Sequence, residues 1–283
     1  LAEMAEGLGC RLIHGRVRAL TQSPSTVSAD AGSEQGVTAS VAIDAEGLGR
    51  RLAATLGLDT RMGEAIPAVQ LTMRCGEVDP SFAHIFLGGP CNDFMAYAIP
   101  IDEHTARVGC ATRRADAMKV CERACRRAYG GEGEAVHSSR WAIWTRGALR
   151  RTRIGRILLV GDAAGHTKPT TGGGVVFGGM MARAAGNAAG KCAATHREEP
   201  LRAMVEEHRA MAHRMEWMLL ARRILSTLSD RTIDEGVELL KAKRGELEEV
   251  LRCTDFDFHE RTPLSLVASV APTRLPLLLF LDL

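Results

Sequence analysis

A chain of 283 residues, 46% hydrophobic and 25% charged, has the make-up of a globular protein large enough for one big domain or two ordinary ones. Its 36 basic and 34 acidic residues leave a formal net charge of +2, which argues against a dedicated nucleic-acid binder, a class that gathers Lys and Arg on one face. No secretory leader is visible and no apolar run reaches the roughly 18 residues of a membrane span, so a cytoplasmic protein is expected.

Residues 1–9 read as the end of a helix closed by Gly7 and Gly9, with no initiator Met and no cap. Three strand-like pieces follow, Arg11–Leu20, Thr26–Ala29 and Gly36–Asp44, separated by polar turns. From Ala68 to Thr112 apolar residues alternate along Ala68–Arg74, Ala83–Leu87, Asp93–Ile99 and Thr105–Ala111, which predicts an antiparallel sheet. Asp116–Tyr129 is a helix ended by Gly130-Gly131. Arg156–Val160 is a short buried strand running into Gly161-Asp162-Ala163-Ala164-Gly165. From about Val175 the chain is helical through Gly190, with two or three more helices to about Arg252. The order is strand-rich α/β, then a separate antiparallel sheet, then a return to α/β, then helices. A nucleotide-binding domain (1–60 and 146–195) interrupted by a substrate domain (61–145) and followed by a helical region (196–283) would produce it.

The eight cysteines (Cys10, Cys75, Cys91, Cys110, Cys121, Cys125, Cys192, Cys253) form no C-x-x-C pair and have no His at zinc-finger spacing, so no metal site is expected. They read as isolated thiols in a reducing compartment; a redox pair of Cys121 and Cys125, four apart on one helix face, is the alternative.

The chemistry concentrates in Ile157–Gly179. A buried strand ending in Gly161-Asp162 places a carboxylate at the sheet edge where open α/β folds bind ligands, and a carboxylate there suits a hydroxyl-rich ligand. After a turn at Pro169, the glycines Gly172, Gly173 and Gly174 open a helix. Without side chains they let backbone N–H groups approach a flat or anionic ligand closely.

Gly161-Asp162-Ala163-Ala164-Gly165 followed by Pro169-Thr170-Thr171-Gly172-Gly173-Gly174 resembles the second FAD motif of the geranylgeranyl reductase family. This is a branch of the para-hydroxybenzoate-hydroxylase-like flavoproteins whose archaeal members include digeranylgeranylglycerophospholipid reductases. The resemblance implies FAD as cofactor, with Asp162 at its ribityl or pyrophosphate portion and Gly172 to Gly174 close to the isoalloxazine ring. Ile43–Ala53 resembles the family's A-D-G-x-x-S segment, with Glu46-Gly47 in place of Asp-Gly and Arg50 in place of Ser. The family's Y-x-W-x-F-P and G-x-G, which line a lipid cavity, correspond to Met95, Tyr97, Ile99 and Pro100, then Gly109 and Ala111. Met95, Tyr97 and Ile99 share one strand face, which suits an apolar tunnel and a core strand equally.

The fold so implied is a Rossmann-like FAD domain interrupted by an antiparallel substrate sheet. Its G-x-G-x-x-G element, not found here, is expected to precede Leu1. The implied activity is reduction of isoprenoid double bonds in lipid biosynthesis, with electrons from ferredoxin or NAD(P)H. An aromatic hydroxylase or halogenase on the same scaffold, and a non-catalytic lipid-binding remnant, are the alternatives. No proton donor is assigned among His166, Cys91 and Tyr97. Leu275–Leu281 reads first as a segment docked on the protein's own core and the arginines of Arg146–Arg156 as a solvated loop; a peripheral membrane contact is the alternative for both.

Overall fold

A computed structural model describes residues 1–32, 36–58, 65–91 and 93–259. In chain order it has helix α1 (Ala2–Gly7), strands β1 (Ala19–Gln22), β2 (Val27–Asp30), β3 (Val37–Ala39) and β4 (Ala42–Asp44), and the short helix α2 (Arg51–Thr55). Strands β5 (Ile66–Arg74), β6 (His84–Phe86), β7 (Met95–Pro100) and β8 (Thr105–Ala111) come next, then helix α3 (Ala117–Tyr129) and β9 (Glu134–Ile143). Strands β10 (Arg153–Ile154) and β11 (Ile157–Leu159) lead to helices α4 (Val175–Thr195), α5 (Leu201–Leu225), α6 (Asp230–Ala242) and α7 (Arg244–Arg252).

The strands make three sheets, β1-β2-β3, β10-β11-β4 and β6-β7-β8-β5-β9. Among the described residues only β4 and β11 run parallel. The expected strand Gly36–Asp44 is two strands in two different sheets, and of Arg11–Leu20 only Ala19 and Leu20 pair. Strand β9 was not anticipated. It borders the five-stranded sheet and is exposed along most of its length, so Glu134, His137, Ser138, Ser139 and Arg140 carry no apolar alternation.

The described residues divide into two compact units. One takes those of Leu1–Thr60, Leu149–His166 and Gly178–Arg209; the other those of Arg61–Ala148, Thr167–Phe177 and Ala210–Leu283. The Gly-Asp turn therefore belongs to the first unit and the triple-glycine loop to the second.

In the second unit, period-two alternation sends Val69, Leu71, Met73, Ala96, Ala98, Ala106, Val108 and Cys110 to one face of the five-stranded sheet. Helix α3 covers that face with Val120, Cys121, Ala124 and Cys125. Small alanines on β7 and β8 let the helix sit close, and each buried Leu, Val or Met contributes about 1.5–3 kcal/mol. Asp116 caps α3 by accepting the Met118 N–H, and Gly130, at φ +65°, ends it. The first unit has a smaller core of Val27, Ala53, Ile157, Leu159 and Ala164. Along α5 the buried residues Leu201, Met204, His208, Met211, Met215 and Met218 recur at three- and four-residue spacing, a single stripe with one polar member.

Two arginines of the Arg146–Arg156 stretch are committed internally, against the expectation of a solvated or membrane-facing run. Arg153 pairs with Glu198 at 2.5 Å. Arg156 is buried, donating to the carbonyls of Pro24 at 2.8 Å and Ser40 at 3.3 Å, with Glu198 at 3.4 Å. Leu275–Leu281 lies outside the described residues. Among the described residues no helix is long and apolar enough to cross a membrane.

Candidate cofactor site

In the first unit, parallel pairing aligns β4 with β11 so that both run out at the same edge. Asp44 is the last residue of β4, and Asp162 follows β11 within a single 3-10 turn, Gly161–Ala164. The Asp44 carboxyl accepts the Glu46 N–H through Oδ1 at 2.9 Å. Its Oδ2 is buried and has no hydrogen-bond partner. Burial is the main cause that raises its pKa to about 6, with the neighbouring Glu46 adding to it. Glu46, one of the expected cofactor residues, is occupied otherwise. Its carboxylate accepts the N–H groups of Arg51, Leu52 and Ala53 at 2.8–3.0 Å and so caps α2. Gly47 takes φ +77° in the turn.

Arg50 sits at φ +45°, a conformation that costs a side-chain-bearing residue on the order of 1 kcal/mol. Its guanidinium, 1% exposed, reaches across to the Asp162 carbonyl, with Nη2 at 2.9 Å and Nε at 3.3 Å. Burial lowers its pKa, opposed by the negative charge of Asp162. This arginine thus ties the turn after β4 to the turn after β11.

A histidine pair pins the Gly-Asp turn from the other side. The Gly161 N–H donates to His166 Nδ1 at 3.1 Å, which makes that nitrogen an acceptor. His166 therefore carries its proton on Nε2 and donates to His208 Nδ1 at 3.0 Å, and His208 Nε2 donates to the Leu149 carbonyl at 2.8 Å. Both rings are buried, and burial lowers both pKa values, that of His166 to about 3. His166 is hence a neutral, fully committed ring and is set aside as a proton donor. Sequence reading missed His208, although a polar residue inside the α5 apolar stripe is a signal that could have found it. An open groove of about 1230 Å³ runs beside β4, lined by Arg18, Val37, Ile43, Asp44, Glu46 and Arg51 among others.

In the second unit, the triple-glycine loop closes on itself. Lys168 N–H donates to the Gly173 carbonyl at 3.0 Å, and Gly172 N–H to the Lys168 carbonyl at 2.9 Å. Gly172, at φ +73°, packs so tightly that a Cβ would lie 2.9 Å from Ile143 Cγ2 and 3.1 Å from Phe94 Cζ. A Cβ on Gly173 would meet Lys168 Cε at 2.8 Å. These two glycines are thus required by the loop's own packing, whatever else approaches them. Lys168 is buried, paired with Asp257 at 2.6 Å and placed over the Phe256 ring at 4.8 Å. Thr170 Oγ1 lies 2.6 Å from His259 Nε2, and Pro169 packs near Gly147.

Met95, Tyr97 and Ile99 lie on the face of β7 turned away from α3; the core positions are Ala96 and Ala98. Ile99 is 41% exposed and the other two are half-buried, so this face is open at the Ile99 end, whereas Ala111 and Ala68 in the row of Met95 are buried. The Tyr97 hydroxyl donates to Gln70 Oε1 at 2.7 Å, and to reach it the ring lies flat over Gly109, where a Cβ would sit 2.2 Å from Cζ. That contact accounts for Gly109. Pro100 ends β7 opposite Ala106.

No family model matches the chain. It is 26% identical over 217 residues to digeranylgeranylglycerophospholipid reductase 2 of Methanothermobacter thermautotrophicus, covering 74% of this chain and 56% of that protein. It is 31% identical over 141 residues to an uncharacterized protein of Methanocaldococcus jannaschii, covering 48% and 36%. The chain thus spans little more than half the length of the first of these relatives and about a third of the second. Among solved structures, a geranylgeranyl bacteriochlorophyll reductase-like protein from Thermoplasma acidophilum superposes with a TM-score of 0.78 at 19% identity, covering 93% of this chain and 68% of that one. An anhydrotetracycline hydroxylase from Streptomyces rimosus superposes with a TM-score of 0.63 at 22% identity, covering 95% and 54%.

The fold is therefore that of the para-hydroxybenzoate-hydroxylase-like FAD-binding oxidoreductases, a mixed α/β chain with an antiparallel sheet and a helical C-terminal region. Within that class the sequence resembles the geranylgeranyl reductase family, as Gly161–Gly174 implied.

Proposed function

We propose that this chain is the larger part of an FAD-dependent oxidoreductase that reduces double bonds in the isoprenoid chains of a membrane lipid or its precursor. The observation that carries the reading is the pair of parallel strands, one ending on Asp44 and the other running into the turn of Asp162, with Asp44 keeping a buried oxygen free to accept. Buried acceptors without partners are costly, and a hydroxyl of a sugar or ribityl chain would satisfy this one. The residues present thus fit the polar half of FAD: Asp162, Asp44 and Gly161 would face its ribityl and phosphate portion. Bound and reduced, FAD supplies hydride to one carbon of the alkene while a proton reaches the other.

The chain's own residues position and shield. Arg50 and the His166–His208 pair hold the Gly-Asp turn rigid before any ligand arrives, which lowers the ordering cost of binding. The open face of the sheet offers Met95, Tyr97, Ile99 and Trp141 to an apolar chain. Two residues along from the Tyr97 row, Arg107 and His137 share the row of Ile99 and Thr72, a polar end suited to an anionic head group. Electron donor and membrane association follow the family as proposals only: ferredoxin or NAD(P)H, and a peripheral position on the inner face of the cell membrane.

Incubating the chain anaerobically with photoreduced FAD and an unsaturated prenyl glycerophospholipid tests the reading by mass spectrometry. A gain of two hydrogens per double bond, lost in Asp162→Ala, is expected. Unreduced lipid together with a flavin hydroperoxide on admitting oxygen would favour a hydroxylase or halogenase. The latter reading is supported by the likeness of fold to the hydroxylase and to a flavin-dependent halogenase at TM-score 0.59. Lipid bound without any flavin would favour a non-catalytic carrier.

A further inference from the structure

Six of the eight cysteines are buried, and five of these belong to the core between α3 and the five-stranded sheet. Two close pairs occur among them. Cys75 Sγ lies 3.3 Å from Cys125 Sγ, and Cys91 Sγ lies 3.9 Å from Cys110 Sγ. Helix spacing suggests Cys121 as the neighbour of Cys125, but Cys121 turns towards the Val69 carbonyl, and Cys125 meets the residue just past β5.

The Cys75–Cys125 pair differs from the other in what covers it. Cys75 keeps 8% of its surface, against 3% and 2% for Cys91 and Cys110. Over Cys125 runs Gly130-Gly131-Glu132-Gly133, where three of four residues have no side chain. Gly133 in particular sits where a Cβ would be 3.0 Å from Cys125 Sγ. A residue without a side chain thus lies against Cys125, and the sulfurs need to close by roughly 1 Å to reach bonding distance.

We propose that Cys75 and Cys125 form a modification site, a dithiol that exchanges with low-molecular-weight disulfides to close a cross-link between the end of β5 and α3. Cys75, the more exposed partner, loses its proton and attacks one sulfur of the small disulfide, expelling one small thiol. Cys125 then loses its proton and attacks the mixed disulfide on Cys75, and the second small thiol leaves. Two protein thiols are oxidised, one small disulfide is reduced to two thiols, and the two protons end on those thiols. Burial pushes the Cys125 thiol up to about 12, so the second step is slow and the site responds over minutes to hours. The cross-link spans 50 positions of sequence and clamps the helix onto the closed face of the sheet, leaving the open face untouched.

The test is to hold the folded chain in excess oxidised glutathione at pH 8, block remaining thiols and map disulfides by non-reducing peptide mass spectrometry. One Cys75–Cys125 peptide pair, two hydrogens lighter and restored by dithiothreitol, is expected, together with a raised thermal midpoint of the oxidised form. Cys91→Ala should retain that peptide pair, and Cys75→Ser should lack it. A cross-link mapping to Cys91–Cys110 or Cys121–Cys125, or glutathione adducts confined to the exposed Cys10 and Cys253, overturns the proposal.

Discussion

Two turns in one short stretch of sequence, the Gly-Asp turn and the triple-glycine loop, are held in different ways. The first is fastened through its backbone, by a neutral chain from Gly161 to His166, His208 and the Leu149 carbonyl and by the Arg50 guanidinium on the Asp162 carbonyl. The second is fastened by a buried charge, Lys168 on Asp257 beneath Phe256. The glycines differ in the same manner. Gly161 has φ +63° and open space where a Cβ would be, whereas Gly172 has φ +73° and a wall of Phe94 and Ile143. A glycine-rich motif thus records two separate physical demands, backbone freedom in one turn and close packing in the other.

The largest effect should come from breaking the ion pair. Asp257→Asn leaves the Lys168 ammonium buried without its counter-charge and should cost about 3 kcal/mol in urea unfolding. Lys168→Met with Asp257→Leu should recover most of that loss, because the pair is then replaced and no lone charge remains.

Next come the glycines. Gly172→Ala should cost about 2–3 kcal/mol, strain plus overpacking, and Gly161→Ala only about 1 kcal/mol, strain alone. Equal losses would erase the distinction between the two turns.

A pH effect follows from the histidines. Folded His166 has a pKa near 3, whereas the unfolded ring titrates near 6.5. Between those values the unfolded chain binds a proton that the folded chain refuses, so this group's contribution is full above about pH 6.5 and shrinks as pH falls towards 3. His166→Asn, which can still accept from Gly161, should lose less of its urea midpoint between pH 7.5 and pH 5 than the natural chain does. Arg107→Gln should be the mildest change, within about 0.5 kcal/mol in stability, while weakening capture of a prenyl diphosphate several-fold in a binding titration.

What the sequence made legible follows from where local rules suffice. Strands β5, β7 and β8 alternate cleanly because one face packs on α3, and the Gly161–Gly174 motif is contiguous. Strand β9 was invisible because the border of a sheet needs no apolar period, and His208 because its partner lies 42 positions away. Glu46 has a role the sequence did not show. Its place in a family-like segment suggests a cofactor contact, and its carboxylate also caps α2 by accepting three backbone N–H groups, while the buried oxygen left without a partner is that of Asp44.

The central claim is that the edge formed by Asp44 and Asp162 belongs to a flavin nucleotide, and a titration of the chain with FAD, followed by flavin fluorescence, tests it most directly. Saturable binding is expected, weakened at least about tenfold, roughly 1.4 kcal/mol, in Asp162→Ala. No saturable change, or equal binding by the variant, would contradict it.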